Sequence, residues 1–128
     1  MALTKVGSHP SYGGQVVFNA TASFTLDPSD SGKIFILKDA AITVTLPTLS
    51  TSIAGFQVRL ISGDGNNHVI AGGASLIYGQ IGDFAGSNFE RIAAASGYTL
   101  TNGEIGDWFE LISDGTNWYI SGLTDNGA

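Results

Sequence analysis

Apolar and polar residues alternate with a period of two along many short stretches of this chain, and glycine, asparagine, aspartate and proline punctuate them. The clearest case lies between residues 41 and 46: Ile42, Val44 and Leu46 face one way, Thr43 and Thr45 the other, and Pro47, which has no amide to give a ladder, ends the run. This is the pattern of a half-buried strand. The stretch from Gly106 to Gly122 carries two aromatic and β-branched runs, 108–112 and 118–120, on either side of Asp114-Gly115. Glycine accepts positive φ without steric cost and aspartate tolerates it, so this segment predicts a β-hairpin. In its first strand Trp108, Glu110 and Ile112 share one face, and Phe109 and Leu111 share the other. Trp118 and Tyr119 point to opposite faces, so at most one of them is core.

The remaining alternation places strands at 16–19, 22–26, 33–37, 41–46, 55–62, 67–72, 75–78, 89–94 and 98–101. The pair 33–37 and 41–46 reads as a hairpin across Lys38-Asp39-Ala40. Residues 27–32 form a turn cluster, 48–54 a Ser/Thr-rich loop with room for one helical turn, and 79–87 a glycine-rich loop. Ala93-Ala94-Ala95 hints at a helix but is short and bounded by glycine. Asn102-Gly103 is a type I′ turn candidate. About ten strands separated by turns predict an all-β, single-domain antiparallel β-sandwich, jelly-roll-like or barrel-like, over residues 15–128. Residues 1–14 lack apolar alternation and read as an extended N-terminal arm.

One internal similarity stands out. Residues 58–72 align with 109–122, with a gap at Gly63, so that Leu-Ile-Ser, Asp-Gly, an Asn, an Ile and a final Gly coincide. Residues 55–62 and 67–72 thus read as a second hairpin, and two origins fit: one hairpin duplicated, or two tight hairpins converging on the same turn chemistry.

Composition narrows the function classes. The 128 residues contain no cysteine, which excludes disulfides and thiolate metal sites, and 18 glycines with 12% charged residues suit a turn-rich β protein. The net charge is -6, and the five bases, Lys5, Lys33, Lys38, Arg59 and Arg91, are dispersed. A nucleic-acid surface needs clustered bases, so no nucleic-acid partner is expected. The apolar runs are far shorter than a bilayer span and the N-terminus has no signal-peptide pattern, so the expectation is a soluble chain made in the cytoplasm, with no membrane partner.

Catalytic chemistry is sparse. With His9 and His68 alone and no Gly-x-Ser-x-Gly elbow, a Ser-His-Asp arrangement lacks support, and His68 reads as an ordinary cross-strand residue. Gly63-Asp64-Gly65-Asn66-Asn67-His68 is neither a dinucleotide loop nor an EF-hand. Glu104, Asp107, Glu110 and Asp114 fit turn and surface positions better than a glycosidase pair. No catalytic residue, metal or cofactor is expected, and the protein reads as a non-enzyme. The aromatics Tyr12, Tyr78, Tyr98, Trp108, Trp118 and Tyr119 suit a core, an interface or a glycan platform, with Tyr98, Trp118 and Tyr119 the interface or glycan-stacking candidates.

The segments Asp30-Ser31-Gly32-Lys33-Ile34-Phe35-Ile36-Leu37, Ile42-Thr43-Val44-Thr45-Leu46-Pro47, Gly55-Phe56 and Ser113-Asp114-Gly115-Thr116-Asn117-Trp118-Tyr119-Ile120 occur in that order. The chain thereby resembles structural proteins of tailed-bacteriophage particles, over about residues 22–122. It is most like capsid decoration (cement) proteins, and the pattern is shared with domains of phage tail fibres. The resemblance implies a homo-oligomer, a trimer, that binds the major capsid protein on the outer surface of the head and stabilises it. The alternative it implies is a tail fibre, tip or adaptor domain binding host-surface glycans. It supplies no catalytic residues. Leu3, Lys5, Val6, His9, Pro10 and Tyr12 of the arm are the capsid-contact candidates, because a flexible segment can order along a neighbouring subunit.

Overall fold

The computed structural model describes residues 3–8, 16–74, 76–83, 88–101 and 103–125. Over these residues the chain is an all-β sandwich of two mixed sheets, one of eight strands and one of four. Its first half is wound as a coil. Strands β2 (Val16–Ala20), β4 (Ile34–Leu37) and β6 (Gln57–Ser62) lie side by side and parallel in the large sheet. Strands β3 (Phe24–Thr25), β5 (Thr43–Thr45) and β7 (Val69–Ala71) do the same in the small one. Each turn of the coil therefore runs along one sheet, rounds a corner, returns through the other sheet and advances by one strand.

The coil stacks like residues on like. Phe18, Phe35 and Leu60 are register partners in the large sheet, and Phe24, Val44 and Ile70 in the small one. The Phe18 and Phe35 rings stack at 5.6 Å and Phe24 meets Phe35 at 5.0 Å across the sandwich. Side chains of this size contribute about 1.5–3 kcal/mol each on burial, so the alternation seen in the sequence is what holds the two sheets together.

The second half closes the sandwich. Strand β8 (Ile77–Asp83) joins the large sheet and pairs antiparallel with β9 (Asn88–Ala95), then β10 (Gly97–Thr99) crosses to the small sheet beside β7. The chain returns as the hairpin β11 (Trp108–Ser113) and β12 (Trp118–Thr124), which inserts between β6 and β8. The predicted Asp114-Gly115 turn is where it was read: Gly115 has φ 91° and Asp114 accepts the amides of Thr116 and Asn117 at 2.8 and 2.7 Å. Strand β1 (Leu3–Ser8) pairs antiparallel with β2 and completes the order β1-β2-β4-β6-β11-β12-β8-β9. A short 3-10 turn at Thr51–Ile53 fills the Ser/Thr-rich loop.

Four expectations change. The sandwich is mixed rather than antiparallel, because five of the ten strand pairings are parallel. The hairpins read at 33–46 and 55–72 do not exist: β4 and β6 belong to the large sheet, β5 and β7 to the small one. Residues 79–83, read as loop, are strand, and so is Ala93-Ala94-Ala95. Part of the arm, Leu3–Ser8, is a strand, whereas the Asn102-Gly103 turn and residues 9–15 fall wholly or partly outside the described residues.

The corners explain the first two errors. At the third corner Asp64 accepts the Asn66 amide at 2.9 Å, the same aspartate-to-i+2 bond that Asp114 makes with Thr116. The shared Leu-Ile-Ser-turn sequence encodes that local bond, after which β12 folds back on its partner and β7 crosses to the other sheet. The likeness of 58–72 to 109–122 is thus turn chemistry, not a repeated hairpin. Successive corners are stitched to one another: Thr43 donates its amide to Ser23 Oγ at 2.9 Å, Asp39 donates to Asp64 Oδ2 at 2.6 Å, and Ile42 donates to His68 Nδ1 at 3.1 Å.

Candidate binding surface

Facing positions on β6, β11, β12, β8 and β9 fall into rows that cross the outer face of the large sheet. One row is polar: Arg59, Glu110, Ser121, Gln80 and Arg91 are successive register partners. On one side of it runs an apolar row, Ile61, Trp108, Leu123, Gly82 and Phe89. On the other side Ile112, Tyr119 and Tyr78 form a second apolar row. Rows two residues apart along a strand are separated by about 6.6 Å, and neighbours within a row by about 4.8 Å.

This face is unusually apolar for a surface. Of the six large hydrophobics that are exposed among the described residues, Tyr78, Phe89, Ile112, Tyr119 and Leu123 lie on it, and Ile105 lies elsewhere. Phe89 is the most open at 77% exposure. Between Tyr78, Phe89, Trp108 and Leu123 the surface dips into a shallow concavity of about 690 Å³, with Gln80, Arg91 and Ser121 also on its walls. Gly82 leaves room at the floor of the dip, where a Cβ would meet the Leu123 Cδ2 at 2.6 Å and push that side chain aside. The Trp108 ring is fixed from the β6 side by the Arg59 guanidinium, 4.5 Å from its centroid. Arg59 reaches Glu110 only at 3.9 Å, an exposed pair worth about 0–1 kcal/mol.

The aromatic candidates separate by face. Trp118 is fully buried, with its ring edge-on to Phe56 at 5.6 Å, and Tyr98 is buried against Phe109 at 5.3 Å. Both rings pack the sandwich. The Tyr98 hydroxyl donates to Glu90 at 3.3 Å, and burial together with that carboxylate pushes its pKa up. Tyr119 is on the outer face, 45% exposed, and donates to Asp114 Oδ2 at 3.1 Å. The Asp114 carboxyl sits below the usual range because the Asn117 and Thr116 amides donate to it.

Of the arm candidates, Leu3 packs partly buried against the core, and Lys5 is the register partner of Phe18. Val6 lies within the irregular step of the β1–β2 register, and His9, Pro10 and Tyr12 lie outside the described residues. His68 is not a surface residue: it is 3% exposed, and its Nε2 lies 2.9 Å from Asp64 Oδ1. Among the described residues no three His, Asp or Glu side chains converge in a way that could hold a metal ion.

Comparison with protein-family models, curated proteins and solved structures finds no match for this chain. Trp108, Ile112, Tyr78 and Tyr119 of the outer face are recognisable from alternation in the sequence. Gln80 and Leu123 are not, because the glycines at 79 and 82 make 79–83 read as loop and the run at 118–120 stops short of 123; Phe89 and Arg91 fall in the strand read at 89–94, but nothing local shows which strand lies beside it.

Proposed function

We propose that the protein is a structural component of a tailed-phage particle, a capsid decoration protein that binds the major capsid protein on the outer surface of the head as a homotrimer. The observation that carries this reading is the place of β1. It is one of the two outermost strands of the eight-stranded sheet, β9 being the other; β2 holds it on one side, and its other edge is unpaired among the described residues. An open strand edge accepts a strand from another chain, with backbone bonds supplying affinity. The segment with that edge is the one that contains the capsid-contact candidates Leu3, Lys5 and Val6.

The mechanism is linkage. A protein that binds only assembled subunits stabilises the assembly by RT ln(1 + [L]/Kd), about 2.7 kcal/mol per site at a hundred-fold excess over Kd. The resemblance over about residues 22–122 to virion proteins supports the particle, and the edge strand supports the mode of attachment.

The test is binding to phage heads stripped of minor proteins, with sedimentation to give the oligomer. Full-length chain should saturate many equivalent sites, and a chain lacking residues 2–8 should lose them while keeping its β-sheet circular dichroism. If that deletion unfolds the chain, a synthetic peptide of residues 1–14 should still compete with the intact protein. Undiminished binding by a folded deletion, or no binding by the intact chain, overturns the reading. A second reading, a tail fibre or tip domain that recognises host glycans, is favoured by the aromatic concavity on the outer face.

A further inference from the structure

The geometry points to the concavity on β11, β12, β8 and β9 as a groove for an extended, linear oligosaccharide lying across the strands. The inference deepens the glycan reading by naming the ligand class and the residues. It does not require the chain to be a fibre, because β2, β4 and β6 stand between β1 and β11 and leave the groove free in a protein attached through β1.

A pyranose has two chemically different aspects: its faces are C–H surfaces that stack on aromatic rings, and its rim carries hydroxyls that donate and accept. The groove offers the complement in the same arrangement. Ser121, Gln80 and Arg91 run along its polar row, and none of the three spends its side chain on a hydrogen bond or ion pair within the described residues. Serine and glutamine both donate and accept, as hydroxyl groups do, and arginine donates a fork of N–H groups. Trp108 and Phe89 stand on one side of that row and Tyr78 on the other. An amphipathic ring flanked by apolar walls and met by polar groups is how small numbers of placed polar groups orient a ligand in a mostly apolar site.

The direction matters as much as the composition. Polar groups recur along the row once per strand, about 4.8 Å, which is close to the advance of one pyranose along an extended chain. A peptide would instead satisfy its own backbone at a sheet edge, such as that of β9, whereas the groove lies on the sheet face, where β11, β12 and β8 are paired on both sides. The Arg59 guanidinium stacked on Trp108 holds that ring in place before a ligand arrives, which lowers the ordering cost of binding.

The test uses the full chain and a panel of defined hexasaccharides: cellohexaose, chitohexaose and a hyaluronan hexamer. The two tryptophans report separately, because Trp118 is fully buried and Trp108 borders the groove. At least one hexamer should bind saturably, shield Trp108 from acrylamide quenching and bind at least ten-fold more tightly than its dimer. Tyr78→Ala and Gln80→Ala, both at exposed positions, should each weaken that hexamer at least five-fold with unchanged circular dichroism. The inference is overturned if no hexamer protects Trp108 at 10 mM. It is equally overturned if binding survives both substitutions, or if sedimentation shows that the same face is covered by a second copy and Tyr78→Ala releases monomers. Sugar binding is read on the isolated chain and head binding on stripped heads, so either proposal can fail without the other.

Discussion

His68 Nδ1 accepts the Ile42 amide at 3.1 Å while its Nε2 lies 2.9 Å from Asp64 Oδ1. A ring nitrogen that accepts a backbone N–H carries no proton, so Nε2 is the donor and Asp64 the acceptor. This fixes one neutral tautomer of a buried imidazole and joins the second corner of the coil to the third. Nitrogen chemical shifts of the ring should show the Nε2–H form at pH 7. A Nδ1–H tautomer would overturn this assignment.

The Asp64 carboxylate also gathers the amides of Asp39 and Asn66 and the Asn66 side chain. Partial burial works against its charge, but these donors and His68 outweigh it and hold its pKa below the ordinary carboxylate value. The folded pKa is depressed, so the stabilisation is present above the unfolded value of about 3.9 and is lost as pH falls through the folded value. Asp64→Ala should lower stability at pH 7 by about 2–3 kcal/mol, because it strands a buried donor on His68. The gap between the two proteins in urea midpoint should narrow at pH 3. An equal gap at both pH values would show that Asp64 acts only by packing.

Gly79 and Gly73 both have positive φ, 149° and 84°, yet they should respond differently to alanine. A Cβ at Gly79 would overlap the Ile120 carbonyl oxygen, whereas nothing lies within 4 Å of one at Gly73. Gly79→Ala should cost about 3–5 kcal/mol and disturb the β8–β12 pairing. Gly73→Ala should cost only the backbone term, about 1–2 kcal/mol. Thermal unfolding of the two variants compares them directly, and equal losses would deny the close approach of β8 to β12.

Trp118 and Tyr119 are neighbours in sequence with opposite fates. Trp118→Ala should cost about 3–5 kcal/mol by leaving a cavity beside Phe56. Tyr119→Ala removes an exposed ring and a surface hydrogen bond, and should change stability by no more than about 0.5 kcal/mol. Denaturant midpoints check both, and a large loss at Tyr119 would mean that the outer face is packed in solution.

What alternation reveals is which face a residue takes, and here it did so reliably: Ile42, Val44 and Leu46 are buried, and Phe109 and Leu111 are inside the hairpin whose outer face bears Ile112. It does not reveal which strand lies alongside. A corner such as Lys38-Asp39-Ala40 has the residues of a hairpin turn, and Asp39 at φ 73° has the backbone of one, but the next strand leaves for the other sheet. Parallel neighbours are separated by a whole turn of the coil, so no local signal announces them. The outer-face groove suffered for the same reason, since Gln80 and Arg91 become neighbours of Ser121 only through the parallel β12–β8 pairing and the β8–β9 pairing beside it.

The coil itself can be tested with covalent links, because the chain has no cysteine of its own. Thr25 and Thr45 are register partners in adjacent parallel strands of the small sheet and share a face. Partners in neighbouring strands stand about 4.8 Å apart, within the 4.4–6.8 Å Cα range that a disulfide spans. The double variant Thr25→Cys with Thr45→Cys should therefore oxidise readily and raise stability by about 3 kcal/mol through the loop it closes. A hairpin across Lys38-Asp39-Ala40 would instead set residue 36 opposite residue 42, and in the coil Ile36 faces outward from the large sheet while Ile42 is in the core. Ile36→Cys with Ile42→Cys should stay reduced under the same oxidant. Thiol titration and mass spectrometry of the two variants decide the matter: a bridge at 36–42 with free thiols at 25 and 45 would restore the antiparallel hairpin and dismantle the coil.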